Sequence, residues 1–199
     1  MRNILMSLIF VIFTFQSVFA QIGKPVVEIG AGNVWTGIKE ESGAFYTAAN
    51  ANIALLQKGN FNFITGLGIR ATRLNFQEIS LNIQEYDLTE WNVFLHIPLK
   101  SELYLPFEGG MQGIFTGVGF DFYYLLYRRE KLPDEINHKT GKELFNEFIP
   151  AVSLGCGYDF SQRTKNLPLK ITLTYSYEIR AQKGPNNFKN LGFSLGILF

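Results

Sequence analysis

Apolar and polar residues alternate with a period of two along most of the chain, which is the signature of strands with two unlike faces. The pattern is cleanest over 169–180: Leu169, Ile171, Leu173, Tyr175, Tyr177 and Ile179 fall on one side, Lys170, Thr172, Thr174, Ser176, Glu178 and Arg180 on the other. Residues 188–199 repeat it, with Leu191, Phe193, Leu195, Ile197 and Phe199 set against Asn190, Gly192, Ser194 and Gly196. Segments 25–36, 43–57, 61–74, 88–104, 111–127 and 144–160 read the same way, giving eight predicted strands, each long enough for a tilted membrane span of about 9–11 residues.

The connections differ in length. Lys58-Gly59-Asn60 is a tight turn, 105–110 a short one and 161–168 a compact polar one, while 75–87 (with Glu78, Glu85 and Asp87) and 128–143 read as longer loops. The 128–143 segment carries Arg128, Arg129, Glu130, Lys131, Asp134, Glu135, His138, Lys139, Lys142 and Glu143, the densest charge in the chain. Segments 37–42 and 181–187 fall on the same side as these two loops. Short periplasmic turns and longer external loops are the ordering of up-and-down membrane barrels, and an even strand number puts both ends of the barrel in the periplasm. Pro98 lacks the N–H a central ladder needs, so it is expected near the periplasmic end of its strand. The predicted fold is therefore all-β, an eight-stranded antiparallel up-and-down transmembrane β-barrel.

Composition fits this picture. Hydrophobic residues make up 47% of the chain, yet beyond the first residues no long apolar run occurs, so transmembrane helices are not expected. Residues 1–20 combine Arg2, an apolar run over 4–15 and Val18-Phe19-Ala20, as in a cleaved secretory signal, which leaves 21–199 as one barrel domain in the outer membrane. Aromatics at 15%, with 19 Phe and 9 Tyr, suit two interfacial girdles. Lys plus Arg at 18 against Asp plus Glu at 17 gives no basic surface for nucleic acid. Cys156 is the one cysteine, so neither an intramolecular disulfide nor a lipid-anchored cysteine near residue 20 is expected.

The interior of an eight-stranded barrel is just wide enough for side chains to fill. Alternation places Gly30, Gly32, Gly66, Gly68, Gly117, Gly119, Gly155, Gly157, Gly192 and Gly196 inward, together with Glu28, Arg70, His96, Asp121, Asp159, Lys170, Glu178 and Arg180. Buried charges are costly unless paired, so these eight form an expected structural network, a polar plug rather than an open pore. Asp121 and Asp159 could be paired acids, but Arg70, Lys170 and Arg180 share their face and would neutralise them.

Alternation alone does not say which face is outside. A soluble lipocalin-like carrier of a small hydrophobic ligand would alternate too. The membrane reading rests on the ordering of turn lengths, on aromatics near strand ends (Phe45, Phe61, Trp91, Tyr124, Tyr158, Tyr177) and on the closing aromatic, Phe199. A rim enzyme that modifies lipid would need a base, and His138 is the one loop histidine; His96 lies mid-strand. No paired histidines, cysteine cluster or acidic calcium loop occurs, so neither metal nor cofactor is expected.

The run Trp91-Asn-Val-Phe-Leu-His-Ile-Pro-Leu-Lys100, followed by Gly113-Ile-Phe-Thr-Gly-Val-Gly119, resembles the aromatic-x5-Ile-Pro-Leu strand and glycine-rich next strand of PorT-type outer-membrane β-barrel proteins of Bacteroidetes-like bacteria. Segments 147–159 and 173–179 and the closing strand fit the same layout. The resemblance implies an outer-membrane barrel without catalytic residues, and its named member serves a secretion apparatus. A final strand that ends on Phe199 is similar to the signal that barrel-assembly machinery reads. The expected partners are thus outer-membrane lipid, the assembly machinery and an envelope or secretion-system protein. The expected role is structural, surface-binding or secretion-accessory, and not enzymatic.

Overall fold

The computed structural model describes residues 25–36, 41–81, 84–131, 148–164, 166–179 and 188–199. Its strands are β1 Val26–Trp35, β2 Glu41–Lys58, β3 Phe61–Leu81, β4 Gln84–Tyr104, β5 Ile114–Lys131, β6 Phe148–Asp159, β7 Leu169–Glu178 and β8 Lys189–Leu198. They form a closed barrel in sequence order. Every adjacent pair is antiparallel, and β1 meets β8 from Val26↔Leu198 to Trp35↔Lys189, so closure removes the open edge a sheet would present. The end that carries Val26 and Leu198 is called the terminal end below, the other the distal end.

The two faces separate by polarity. Ile29 (61% exposed), Leu67, Ile69, Val118, Phe120, Leu154 and Phe193 point outward, while Glu28, Arg70, Asp121, Asp159, Lys170 and Glu178 are buried inside. A soluble protein rarely exposes a continuous apolar belt, and a soluble carrier has the reverse arrangement, so this surface is the lipid-facing side of a membrane-spanning barrel. Aromatics gather at its distal rim. Phe45 meets Trp91 edge-on at 6.4 Å, and the Arg73 guanidinium lies 5.3 Å from the centre of the Trp91 ring.

Two of the terminal-end turns depend on left-handed glycine: Gly59 (φ 58°) between the paired Lys58 and Phe61, and Gly109 (φ 65°) opening a 3-10 turn before β5. After β6, Asp159 caps the turn Phe160–Gln162 by accepting from the Ser161 N–H at 2.9 Å.

The structure corrects several expectations. Segment 75–87 is not a long loop: β3 and β4 continue through it, pairing Phe76↔Leu88, Ile79↔Tyr86 and Leu81↔Gln84 across a register shift. Phe76, Ile79, Leu81, Tyr86 and Leu88 supply the strand propensity, and a ladder beyond the membrane needs no apolar face. Residues 128–131 likewise belong to β5 rather than to a loop. Pro98 sits well inside β4, opposite Asp121, where the β3–β4 pairing skips from Thr65↔Leu99 to Gly68↔His96. Thr65 Oγ1 donates to the Pro98 carbonyl at 3.0 Å, a side-chain link between β3 and β4 at this point. A bulge between Ala54 and Leu56 interrupts the alternation of β2. Segments 1–24, 37–40, 132–147 and 180–187, with the expectations attached to them (the start of the strand expected over 144–160 included), lie outside the described residues.

Candidate functional site

Inside the barrel the side chains form successive layers. At the distal end Asn92 donates to Glu90 Oε1 at 2.8 Å, and Arg128 reaches the same oxygen at 3.0 Å. Arg128 faces inward because the β4–β5 register slips between Val93 and Phe94, which leaves Leu126 as the extra residue and reverses the phase beyond it. Next comes an apolar patch of Val34, Leu74, Phe94, Tyr123, Ile149, Ala151 and Phe188.

Arg70 on β3 spans the following layer. Its guanidinium lies between two rings, 4.3 Å from the centre of Tyr46 and 4.8 Å from that of Tyr123. It donates to Asn190 Oδ1 at 2.7 Å and pairs with Glu178 at 3.2 Å. Asn190 in turn donates to Glu178 Oε1 at 2.9 Å and Ser176 Oγ at 3.1 Å, tying β3, β7 and β8 together across the lumen. Glycines make this possible: a Cβ on Gly192 would run into the Tyr46 hydroxyl, and one on Gly32 would come 2.7 Å from the Tyr46 ring. Below it His96 stacks on Tyr123 at 4.7 Å, with Nε2 2.8 Å from Asp121 and Nδ1 2.7 Å from Asn50. Gly68 is open for the same reason as Gly192, since a Cβ there would strike Asn50 Oδ1.

The terminal half is built differently. Lys170 donates to Glu102 at 2.5 Å and lies 4.4 Å from the centre of the Phe115 ring, Asn52 donates to Glu28 at 2.8 Å, and the Tyr104 hydroxyl donates to Asp159 at 3.0 Å. These groups surround a cavity of about 450 Å3.

Of the sequence-predicted residues, Glu28, Arg70, His96, Asp121, Asp159, Lys170 and Glu178 line the lumen, while Arg180 and His138 lie outside the described residues. The partners differ from those expected. Asp121 faces His96 and, at 4.0 Å, Lys100; Asp159 is held by the neutral donors Tyr104 and Ser161; Arg70 belongs to Glu178. Glu102, Lys100 and Glu90 join the lumen charges beyond the eight expected, and strict alternation from His96 along β4 puts all three inward. Arg128 had no such signal, because its orientation depends on the bulge. Phe199 is exposed, and its N–H donates to the Pro25 carbonyl at 3.0 Å.

Chemically, His96 is sealed between Asn50, Asp121 and Tyr123 and is 5% exposed, which makes it a brace rather than an accessible base. Among the described residues no group of three His, Cys, Asp or Glu side chains is placed to hold a metal ion.

No protein-family model and no curated protein matches the sequence. Solved structures that align with the chain include Neisserial surface protein A (11% identity, TM-score 0.46, 89% of this chain and 97% of that one). The attachment invasion locus protein Ail of Yersinia pestis aligns at 12% identity and TM-score 0.41 (90% and 100%). The N-terminal β-barrel domain of Pseudomonas aeruginosa OprF does so at 10% identity and TM-score 0.39 (87% and 97%).

Proposed function

We propose that this chain is a small outer-membrane protein with a structural, surface-binding or secretion-accessory role and no open pore. The observation that carries the reading is the Arg70 layer: one guanidinium held by Tyr46, Tyr123, Asn190 and Glu178 ties β2, β3, β5, β7 and β8 together across the lumen. The apolar outer belt supports insertion in a bilayer, and the outer membrane is the bilayer that takes barrels of this kind. With both termini periplasmic, the β3–β4 hairpin past Phe76 stands outside the cell as the natural contact for a ligand or envelope partner. Planar-bilayer recording of the refolded protein tests the closed lumen: no steady conductance is expected, and a steady single-channel current would overturn it. The secretion-accessory role rests on the PorT-type resemblance. A deletion strain with an unchanged set of secreted proteins would remove it.

A further inference from the structure

At the distal rim the registers line up one outward residue from each of four neighbouring strands: Phe45 of β2 faces Arg73 of β3, Arg73 faces Trp91 of β4, and Trp91 faces Arg129 of β5. The last place in this row depends on the β5 bulge. Without the extra residue at Leu126, Arg128 would stand beside Trp91 and Arg129 would turn into the lumen. With it Arg128 reaches buried Glu90, and Arg129 is exposed on the outer surface. One pair further out the register puts Asn75, Thr89 and Lys131 on the same face; one pair nearer the middle of the membrane it puts Ala71, Val93 and Tyr127 there. Over three rows the strip passes from apolar through arginine and indole to polar, the profile of a bilayer's headgroup zone.

Its charge has one sign. Neither the arginine row nor the row beyond it contains Asp or Glu, and among the described residues no carboxylate lies within ion-pair distance of Arg73 or Arg129. The same three strands reach the terminal end on Phe61, Leu103 and Thr116, opposite one another and uncharged, so the cations belong to one leaflet and are not a general way of ending a strand. Arg73 is also held in place. Its Nε donates to Asn75 Oδ1 at 3.1 Å and its guanidinium lies 5.3 Å from the centre of the Trp91 ring, so the fork leans over β4, on the side of Arg129. The strands that flank β4 are about 10 Å apart, which lets two arginine forks reach one phosphate from opposite sides. Two cations without a carboxylate match a phosphate monoester, with a charge of about −1.5 to −2 at pH 7, better than a singly charged diester.

We propose that this strip binds the phosphate monoester headgroup of an external-leaflet lipid, clamped between Arg73 and Arg129 over Trp91, with the acyl chains laid on Ala71, Val93 and Tyr127. The inference rests on the outer-membrane reading, which makes the distal end external.

The test is lipid selectivity measured at Trp91. The full-length protein carrying Trp35→Phe, which leaves Trp91 as its one tryptophan, is refolded into phosphatidylcholine vesicles, and its fluorescence is quenched with bromine-labelled phosphatidic acid, phosphatidylglycerol or phosphatidylcholine in turn. Phosphatidic acid, the monoester, should be preferred about 10-fold over phosphatidylcholine and about 5-fold over the diester phosphatidylglycerol. Arg73→Gln and Arg129→Gln should each lower the preference about 5-fold, and Arg129→Lys, which keeps the charge but not the fork, about 3-fold. Read from Trp35 in a Trp91→Phe variant, where the facing cation is Lys189, the preference should stay below about 2-fold. Equal quenching by the three lipids, a preference unchanged in either glutamine variant, or an equal preference at Trp35 would each overturn the proposal. Shielding of Trp91 from aqueous iodide by millimolar inorganic phosphate, with no lipid preference, would overturn the lipid assignment in favour of a soluble anion. The heat-dependent gel shift in pure phosphatidylcholine separates the two readings. A barrel that never inserts there overturns the membrane reading and this inference with it, whereas an inserted barrel without selectivity removes the clamp alone.

Discussion

Replacing Arg70 with Met tests whether charge holds the lumen together. The substitution removes the 2.7 Å bond to Asn190, the 3.2 Å ion pair to Glu178 and the cation between two tyrosine rings. Glu178 then remains 3% exposed, with neutral support from Asn190. Breaking a buried pair from one side costs about 3–5 kcal/mol because the other charge is stranded. Two features pull the value towards the lower bound: Met fills most of the vacated volume, and Arg70 Nε is itself buried without a partner, a penalty the substitution relieves. A loss of about 3 kcal/mol is expected. Glu178→Gln, which strands the arginine between rings that partly solvate it, should cost about 2 kcal/mol. The double variant removes both charges and should cost only about 2 kcal/mol, leaving a coupling of roughly 3 kcal/mol. Urea unfolding of the barrel in lipid vesicles, followed by the fluorescence of outward-facing Trp35 and Trp91, gives all four corners of the cycle. If Arg70→Met stays within about 0.5 kcal/mol of the parent, or the coupling is that small, the layer is packing with incidental charge and the reasoning fails.

Three further outcomes follow from the same geometry. Gly192→Ala drives a Cβ into the Tyr46 hydroxyl and should cost about 1–3 kcal/mol, whereas Gly155→Ala meets only ordinary contacts and should stay within about 0.5 kcal/mol; similar urea midpoints for the two would refute the distinction. Leu67→Arg, at the middle of the outward face of β3, should cost about 2–4 kcal/mol in vesicles, and no loss there would contradict a lipid-facing belt. Cys156 is exposed on that face, so a charged maleimide should label it slowly in vesicles and rapidly after unfolding; equal rates would put water at that surface.

The period of two carried most of the architecture because each strand is half buried and half lipid-facing, so the pattern and the fold are the same information. It failed where the environment no longer imposes that contrast. The β3–β4 ladder continues from Phe76 to Leu88, and its polar residues read as a loop. Bulges defeat it differently. The extra residue at Leu126 inverts every position beyond it, so Arg128 looked like part of a solvated charge run when it sits against buried Glu90. Which lumen charge meets which is a further step. It depends on barrel stagger, which brings Lys170 of β7 to Glu102 of β4, and no local spacing encodes that pair.

The glycines show why one lumen can be closed and hollow at once. In the distal half they are placed where Tyr46 and Asn50 need room, and those side chains lock Arg70 and His96 into cross-braces between opposite walls. In the terminal half Gly155 meets only ordinary contacts, and the bracing runs from Lys170 of β7 to Glu102 of β4 and from Tyr104 of β4 to Asp159 of β6, around a cavity rather than a close-packed layer. Close packing tolerates few voids larger than a water molecule, and those that persist in a polar wall are filled. The two halves are therefore braced by different devices, an arginine held between rings at Gly32 and Gly192 and a lysine–glutamate pair beside Gly155, so Gly192→Ala and Gly155→Ala probe packing that a sequence pattern of inward glycines makes look alike.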